Sequence, residues 1–230
     1  MAATNKYPVS DNQFAIDSRH LAEILLGAPY TEPHLLIGLV RRGDLVGSYV
    51  QDLMLAAGRD VTLLPLRVSS YKQQIGSGTH KVVQVYSYGD LVRAVELGGF
   101  GTADYTDDIA DTNMTAYVLK HLARHGVNRS DCRVLRKSPS GEDILGFDLE
   151  GLDIPCTVEM IPLDRDIPPL PVDPRFSVVY YKKSADLARG LAEPNFYGRI
   201  IPKELWIVFS NESSDPHDPA EFRNMFPYLF

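Results

Sequence analysis

The segment Asp107-Asp108-Ile109-Ala110-Asp111-Thr112-Asn113-Met114-Thr115 joins two runs of different period. Phe100 to Thr106, before it, reads as a strand. After it, Tyr117, Val118, Leu119 and Leu122 recur at helical spacing, and Gly126 stops the pattern. The same grammar occurs earlier in the chain. Leu35-Leu36-Ile37-Gly38-Leu39-Val40 is a short apolar run of the kind buried in a parallel sheet. A polar turn, Arg41-Arg42-Gly43-Asp44, follows at once. Leu45, Val46, Tyr49, Val50, Leu53 and Met54 then form a helical stripe that Gly58 closes. Strand, helix, strand, helix predicts an α/β fold, with a mainly parallel sheet flanked by helices. Ligands of such sheets sit beyond the carboxyl ends of the strands. Both polar turns fall there, so the pattern predicts one cleft with Arg42 on one side and the Asp-rich turn on the other.

The residue types in that turn suggest its chemistry. A helix N-terminus presents free N–H groups and a partial positive charge, which suit a phosphate. Thr112 and Thr115 add hydroxyls. The carboxylates of Asp107, Asp108 and Asp111 would repel a phosphate; they suit sugar hydroxyls, a magnesium ion or a developing positive charge. Phosphate, diol and cation together describe a ribose 5-phosphate.

Composition narrows the classes. The 230 residues are 44% hydrophobic, enough for one well-buried core with material to spare. A net charge of -7 argues against a non-specific nucleic-acid binder. Two cysteines, Cys132 and Cys156, without a CxxC give neither a disulfide framework nor a zinc cluster. The polar stretch Met1 to Asn12 lacks the apolar core of a signal peptide, and no apolar run is long enough to span a membrane. These features predict a cytoplasmic protein with no nucleic-acid or membrane partner.

Further elements are expected as follows. A short helix begins near Asp17 and Ser18 and ends at Gly27. Val61–Val68 is a strand, Ser69–Thr79 a mobile loop, Lys81–Tyr86 β-like and Asp90–Leu97 a helix. Short strands come at Cys156–Ile161, Ser177–Tyr181 and Leu205–Phe209. His121 and His125 read as a solvated helix face, because no Glu follows the first His as in the known zinc motif. His217, among Asp and Pro residues, reads as a surface turn.

Four ordered segments resemble the type I phosphoribosyltransferases, nearest to the 6-oxopurine (hypoxanthine and xanthine-guanine) enzymes. Asp107 to Thr115 is similar to their phosphoribosyl pyrophosphate signature, and Leu39 to Val46 to their pyrophosphate loop. Val68-Ser69-Ser70-Tyr71 resembles the start of their flexible loop. Ile201 to Phe209, followed by Glu212 and preceded by Tyr180-Tyr181-Lys182, resembles their base-binding hood.

The resemblance implies a magnesium-dependent transfer of 5-phosphoribose from phosphoribosyl pyrophosphate to a 6-oxopurine, in a protein that forms a homodimer or larger oligomer. It also implies roles. Asp107 and Asp108 hold the ribose hydroxyls directly or through magnesium, and Glu212 lies near metal-bound pyrophosphate. Asp111 meets the purine N7. Thr112, Asn113, Met114 and Thr115 bind the 5-phosphate. Arg42 holds pyrophosphate at a strained or cis peptide, with Arg41 the alternative. Tyr71 closes over the site. Lys182, or its neighbour Lys183, donates to the purine O6. Trp206 stacks on the base and the Ile207 backbone meets its edge. Residues 13–128 would form the core, 129–175 an insertion of unknown role, and 176–230 the last core strand, a small hood and a tail.

Three departures from the family pattern stand out: Asp44 and Asn113 replace glycines, and the strand before Asp107 is polar. Asp44, that strand and the inserted segment favour a second reading, a non-catalytic nucleotide sensor or assembly component of the same fold.

Overall fold

The computed structural model describes residues 6–40, 42–75, 78–111, 113–152, 155–183, 193–210 and 223–229. In chain order the strands and helices are β1 (Lys6–Val9), α1 (Asp11–Gly27), β2 (His34–Val40), α2 (Gly43–Ala56), β3 (Val61–Ile75), β4 (Gly78–Tyr86), α3 (Tyr88–Gly98), β5 (Thr102–Ala110), α4 (Met114–His125), β6 (Arg133–Lys137), β7 (Asp143–Leu149), β8 (Cys156–Ile161), β9 (Arg175–Lys182), β10 (Phe196–Ile201) and β11 (Trp206–Phe209). Nine strands form one sheet in the order β10-β9-β5-β2-β3-β4-β8-β7-β6. The five from β10 to β3 are all parallel, which is the α/β architecture expected from the sequence.

Apolar residues on the two faces of the sheet make two cores. Phe14, Leu21 and Leu25 of α1 and Val46, Val50 and Met54 of α2 cover one face. Leu91, Val92 and Val95 of α3 and Val118, Leu119 and Leu122 of α4 cover the other. Each fully buried Leu or Val contributes roughly 1.5–3 kcal/mol. Ser10 caps α1, its hydroxyl accepting from the Gln13 N–H at 3.1 Å, so the helix starts well before Asp17 and Ser18. Those two are instead buried within it. Asp17 accepts hydrogen bonds from Tyr180 Oη at 2.7 Å and Arg199 Nη2 at 2.8 Å. Gly27 ends the helix as the sequence suggests.

The polar strand before Asp107 has a structural explanation. Asp104, fully buried in β5, accepts from His34 Nε2 at 2.8 Å, Arg175 Nε at 2.9 Å and Ser177 Oγ at 3.3 Å. Burial opposes its ionisation, but the hydrogen bonds from His34 and Arg175 outweigh that cost and hold the carboxyl below its ordinary range. A buried charge is tolerated because it is paired. The group sits at the amino ends of the parallel strands, away from the predicted cleft.

The stretch expected to be a mobile loop, Ser69–Thr79, belongs largely to a β-ribbon. β3 runs on to Ile75 and pairs antiparallel with β4, from Val68 opposite Val85 to Ile75 opposite Gly78. Polar residues on both ribbon faces hide the alternation that would mark it. Downstream, β8 pairs parallel with β4, and β7 and β6 add antiparallel strands, so residues 133–161 widen the sheet. A separate two-stranded sheet joins β1 to β11 in parallel register, Lys6 with Trp206 and Tyr7 with Ile207. Phe226 of the tail is buried against Val208. Cys132 and Cys156 are free thiols.

Candidate functional site

Two close approaches bring the predicted turns together. A Cβ on Gly43, at the start of α2, would overlap the Thr106 carbonyl oxygen of β5. A Cβ on Gly38 of β2 would lie 2.5 Å from the Asp44 Cα. Glycine at both positions lets the turn before α2 lie directly on the strand ends. Thr106 Oγ1 fixes the contact by donating to the Gly43 carbonyl at 2.9 Å.

Arg42, the N-cap residue of α2, is thereby set across from the acidic strand end. Its Nη1 is 3.6 Å from Asp108 Oδ2, and its guanidinium lies 4.0 Å from the centre of the Phe209 ring. Asp107 and Asp108 sit within the carboxyl-terminal half of β5 rather than beyond it. Asp107 Oδ1 accepts from the Asp108 N–H at 2.9 Å, and Asp108 Oδ1 from the Ile109 N–H at 2.8 Å. Burial, followed by the neighbouring Asp108 carboxylate, pushes the Asp107 carboxyl well above its ordinary range. Such a pair fits a divalent cation that shares substrate oxygens, because a cation would offset the mutual repulsion. Among the described residues no group of three or more His, Cys, Asp or Glu side chains is arranged to hold a metal by itself.

Asp111 follows β5 on the surface, and Asn113 opens α4 with φ 56°, a left-handed conformation that Asn tolerates. Met114 is buried in the core, so only its backbone can face a ligand. Thr115 is half-buried and lines two adjoining hollows. One, of about 350 Å³, is bounded by Arg42, Ser69, Asp107 and Asp108. The other, of about 210 Å³, is bounded by Lys72, Lys81, Asp111 and Asn113.

On the other side of the cleft Lys182, only 6% exposed at the end of β9, reaches to 4.0 Å from Asp111 Oδ1. Its ammonium also stands 5.6 Å from the centre of the Trp206 ring, within cation–π range. Trp206 is 48% exposed, whereas the Ile207 side chain is buried in the core. Lys183 points elsewhere, its Nζ 3.7 Å from Glu193 Oε1.

Tyr71 does not join this group. Ser70, Lys72 and Lys81 face the cleft, and alternation along the strand puts Tyr71 on the opposite ribbon face. There burial, Glu159 and Arg136 govern its hydroxyl, which is raised above its ordinary value. Arg41, Thr112, His217 and Glu212 lie outside the described residues, as does the Arg41–Arg42 peptide. Sequence reasoning missed Lys72 and Lys81 as cleft residues and Phe209 as the ring beneath Arg42. Lys72 was hidden by reading Ser69–Thr79 as a loop, and Lys81 fell at the start of a stretch read only as β-like.

No protein-family model matches the chain, and a search of curated proteins finds no match. Solved structures do match. A hypothetical protein from Neisseria gonorrhoeae with bound ppGpp is 13% identical, with 100% of each chain covered and a TM-score of 0.58. The Helicobacter pylori xanthine-guanine-hypoxanthine phosphoribosyltransferase is 13% identical, with 92% of this chain and 95% of that one covered, at a TM-score of 0.45. The Pyrococcus horikoshii purine phosphoribosyltransferase is 14% identical, with 89% and 92% covered, at 0.43. The likeness to the Neisseria protein shows a shared fold. The class is α/β with a mostly parallel sheet and flanking helices. Among the described residues no helix is long and apolar enough to cross a membrane.

Proposed function

We propose that this protein is a purine phosphoribosyltransferase, transferring 5-phosphoribose from phosphoribosyl pyrophosphate to a 6-oxopurine. The observation that carries this reading is the position of Lys182, a nearly buried cation between an exposed aromatic plane, Trp206, and the carboxylate of Asp111. That arrangement suits a flat base with a carbonyl oxygen for the ammonium and a ring nitrogen for the carboxylate.

The remaining groups fit the other parts of the substrates. Thr112 to Thr115 and the first N–H groups of α4 receive the 5-phosphate. Asp107 and Asp108 receive the ribose diol. Magnesium bound there would offset charge on the leaving pyrophosphate and orient the diol. Arg42 holds the pyrophosphate, fixed by Phe209 beneath it and Asp108 beside it. As the bond from C1 to the pyrophosphate oxygen lengthens, positive charge grows on the ribose, where Asp107 and Asp108 lie closest. N9 of the base takes the place of the pyrophosphate, and Asp111 accepts or returns a proton at N7. A homo-oligomer and a cytoplasmic location complete the reading.

Incubation with magnesium, phosphoribosyl pyrophosphate and hypoxanthine, guanine or xanthine tests it. Nucleotide and pyrophosphate formed in equal amounts, and lost on Asp111→Asn, support the enzyme. A second reading, a nucleotide sensor that does not turn over, is favoured by the full-length likeness to the ppGpp-bound Neisseria structure. It predicts nucleotide binding with no product from any of the three bases.

A further inference from the structure

β8 pairs with β4 at every residue from Cys156, opposite Lys81, to Ile161, opposite Tyr86. The β3–β4 ribbon that borders the cleft is thus backed by strands from the segment of unknown role. A two-stranded hairpin alone is marginally stable in water, and a third strand with packed side chains removes that weakness. β7 and β6 extend the backing further.

Side chains tie the same strands together on one sheet face. Glu159 of β8 is 5% exposed and receives Arg136 of β6 in a forked contact, Nη2 at 2.9 Å and Nε at 3.2 Å. Its Oε2 also accepts from Gln84 Nε2 of β4 at 2.7 Å. Burial disfavours the charge, but the hydrogen bonds from Arg136 and Gln84 hold the carboxyl below its ordinary range. The Gln84 carbonyl end accepts from Ser69 Oγ of β3 at 2.8 Å and from Tyr86 Oη at 3.0 Å. A carboxylate only accepts, so the Glu159 charge fixes which way the Gln84 amide faces and, through it, the bond to Ser69. A second line on that face runs from His80 through Thr157 and Asp148 to Arg133, at 2.6, 2.5 and 2.5 Å. Both lines start on the ribbon and end on β6.

The ribbon end of the first line reaches the cleft. Ser69 borders the larger hollow, Ser70 borders both, and Lys72 borders the smaller. We propose that Glu159 is a positioning residue: through Gln84 and Ser69 it holds the β3–β4 ribbon as a fixed wall, so that a substrate meets Ser70 and Lys72 where they already stand rather than after a loop closes. This gives residues 133–161 a role, which is to order the wall before any ligand arrives. The consequence for catalysis rests on the phosphoribosyl transfer reading; the fixing of the ribbon does not.

Hydrogen exchange on the full chain, followed by mass spectrometry, tests it. In the unaltered protein the amides from Lys81 to Tyr86 are expected to exchange slowly, and phosphoribosyl pyrophosphate with magnesium to change their rate by less than about threefold. In Glu159→Gln they are expected to exchange about tenfold or more faster, the effect of one charge-assisted contact, while β2 keeps its protection. Should that variant not fold, Arg136→Met, which keeps the stem of a half-exposed side chain, is expected to loosen the same amides. Equal exchange in variant and parent overturns the proposal. So does a large slowing by phosphoribosyl pyrophosphate in the parent, the mark of a lid that closes. In steady-state kinetics Glu159→Gln is expected to raise the KM for phosphoribosyl pyrophosphate about threefold or more and to leave the KM for the purine unchanged. A rise in both, or in neither, removes the positioning role. Absence of turnover in the parent would overturn the transferase reading instead, and the exchange rates would still decide whether Glu159 holds the ribbon.

Discussion

Lys182 Nζ stands 4.0 Å from Asp111 Oδ1, joining the end of β9 to the turn after β5. The lysine is almost wholly buried and the aspartate is exposed, so the pair defines one wall of the cleft, and its inner member cannot swing away.

Removing the Lys182 ammonium should therefore act on the base. In Lys182→Met the KM for the purine is expected to rise about tenfold or more, with a smaller effect on phosphoribosyl pyrophosphate. Lys183→Met, which removes a half-exposed ammonium paired with Glu193, should leave both constants nearly unchanged. Steady-state kinetics on the two variants would separate the neighbouring lysines that sequence alone left as alternatives.

Asp107 makes a prediction about pH. Its folded-state pKa lies well above the ordinary carboxylate value, because burial and Asp108 both disfavour the charge. A raised pKa contributes stability that is fully present below about pH 4 and is lost as pH rises through the folded value. Asp107→Asn should therefore melt a few degrees higher than the unaltered protein at neutral pH, for a gain of about 1 kcal/mol, and the difference should shrink towards pH 4. Calorimetric melting across that range checks the sign. Transfer activity should fall in the same variant.

Gly43 has no room for a side chain. Gly43→Ala forces the start of α2 away from the Thr106 carbonyl, and a cost of about 1–3 kcal/mol is expected from overpacking. The Arg42–Asp108 approach should open with it, so activity should drop more than the folded fraction does. Gly27→Ala, where a Cβ meets nothing within 4 Å, is the matched control and should be neutral in denaturant melts.

Arg175 holds the buried Asp104 charge. Arg175→Ala leaves that carboxylate paired only with His34 and Ser177, and a loss of about 3–5 kcal/mol is expected at neutral pH. The Asp104 pKa is depressed in the folded state, so its contribution is present above the ordinary carboxylate range and is lost as pH falls through the folded value. The gap between variant and parent should therefore narrow in acid. A gap that stays constant down to pH 2 would remove Asp104 as the cause.

The sequence carried the parts of the fold that depend on apolar periodicity. The Leu35–Val40 run, the stripe from Leu45 to Met54 and the face of Val118, Leu119 and Leu122 all fall in the elements they suggest. The Arg42 turn follows β2 as expected, whereas Asp107 and Asp108, expected beyond a strand, lie within β5. Other features left little local signal. The β3–β4 ribbon has polar residues on both faces, so the alternation that identifies a half-buried strand is absent. The first turns of α1 hold one buried apolar residue, Phe14, and the better capping types downstream, Asp17 and Ser18, are in the interior for the sake of Tyr180 and Arg199. Asp104 made β5 look like a poor strand because its partners, His34 and Arg175, come from distant segments. Pairing of that kind is invisible to any window along the chain.

The parallel pairing of Lys6–Val9 with Trp206–Phe209 has a consequence for the order of assembly. The strand that carries Trp206 rests on a segment about 200 residues earlier in the chain, while the turns that carry Arg42, Asp107 and Thr115 lie between the two. A nascent chain can thus build its phosphate-holding half as soon as α4 has emerged, long before the aromatic plane for the base exists. Domains form progressively from the amino end during synthesis. In this molecule the grip on the sugar phosphate comes early, and the choice of base is settled only when the two distant segments meet.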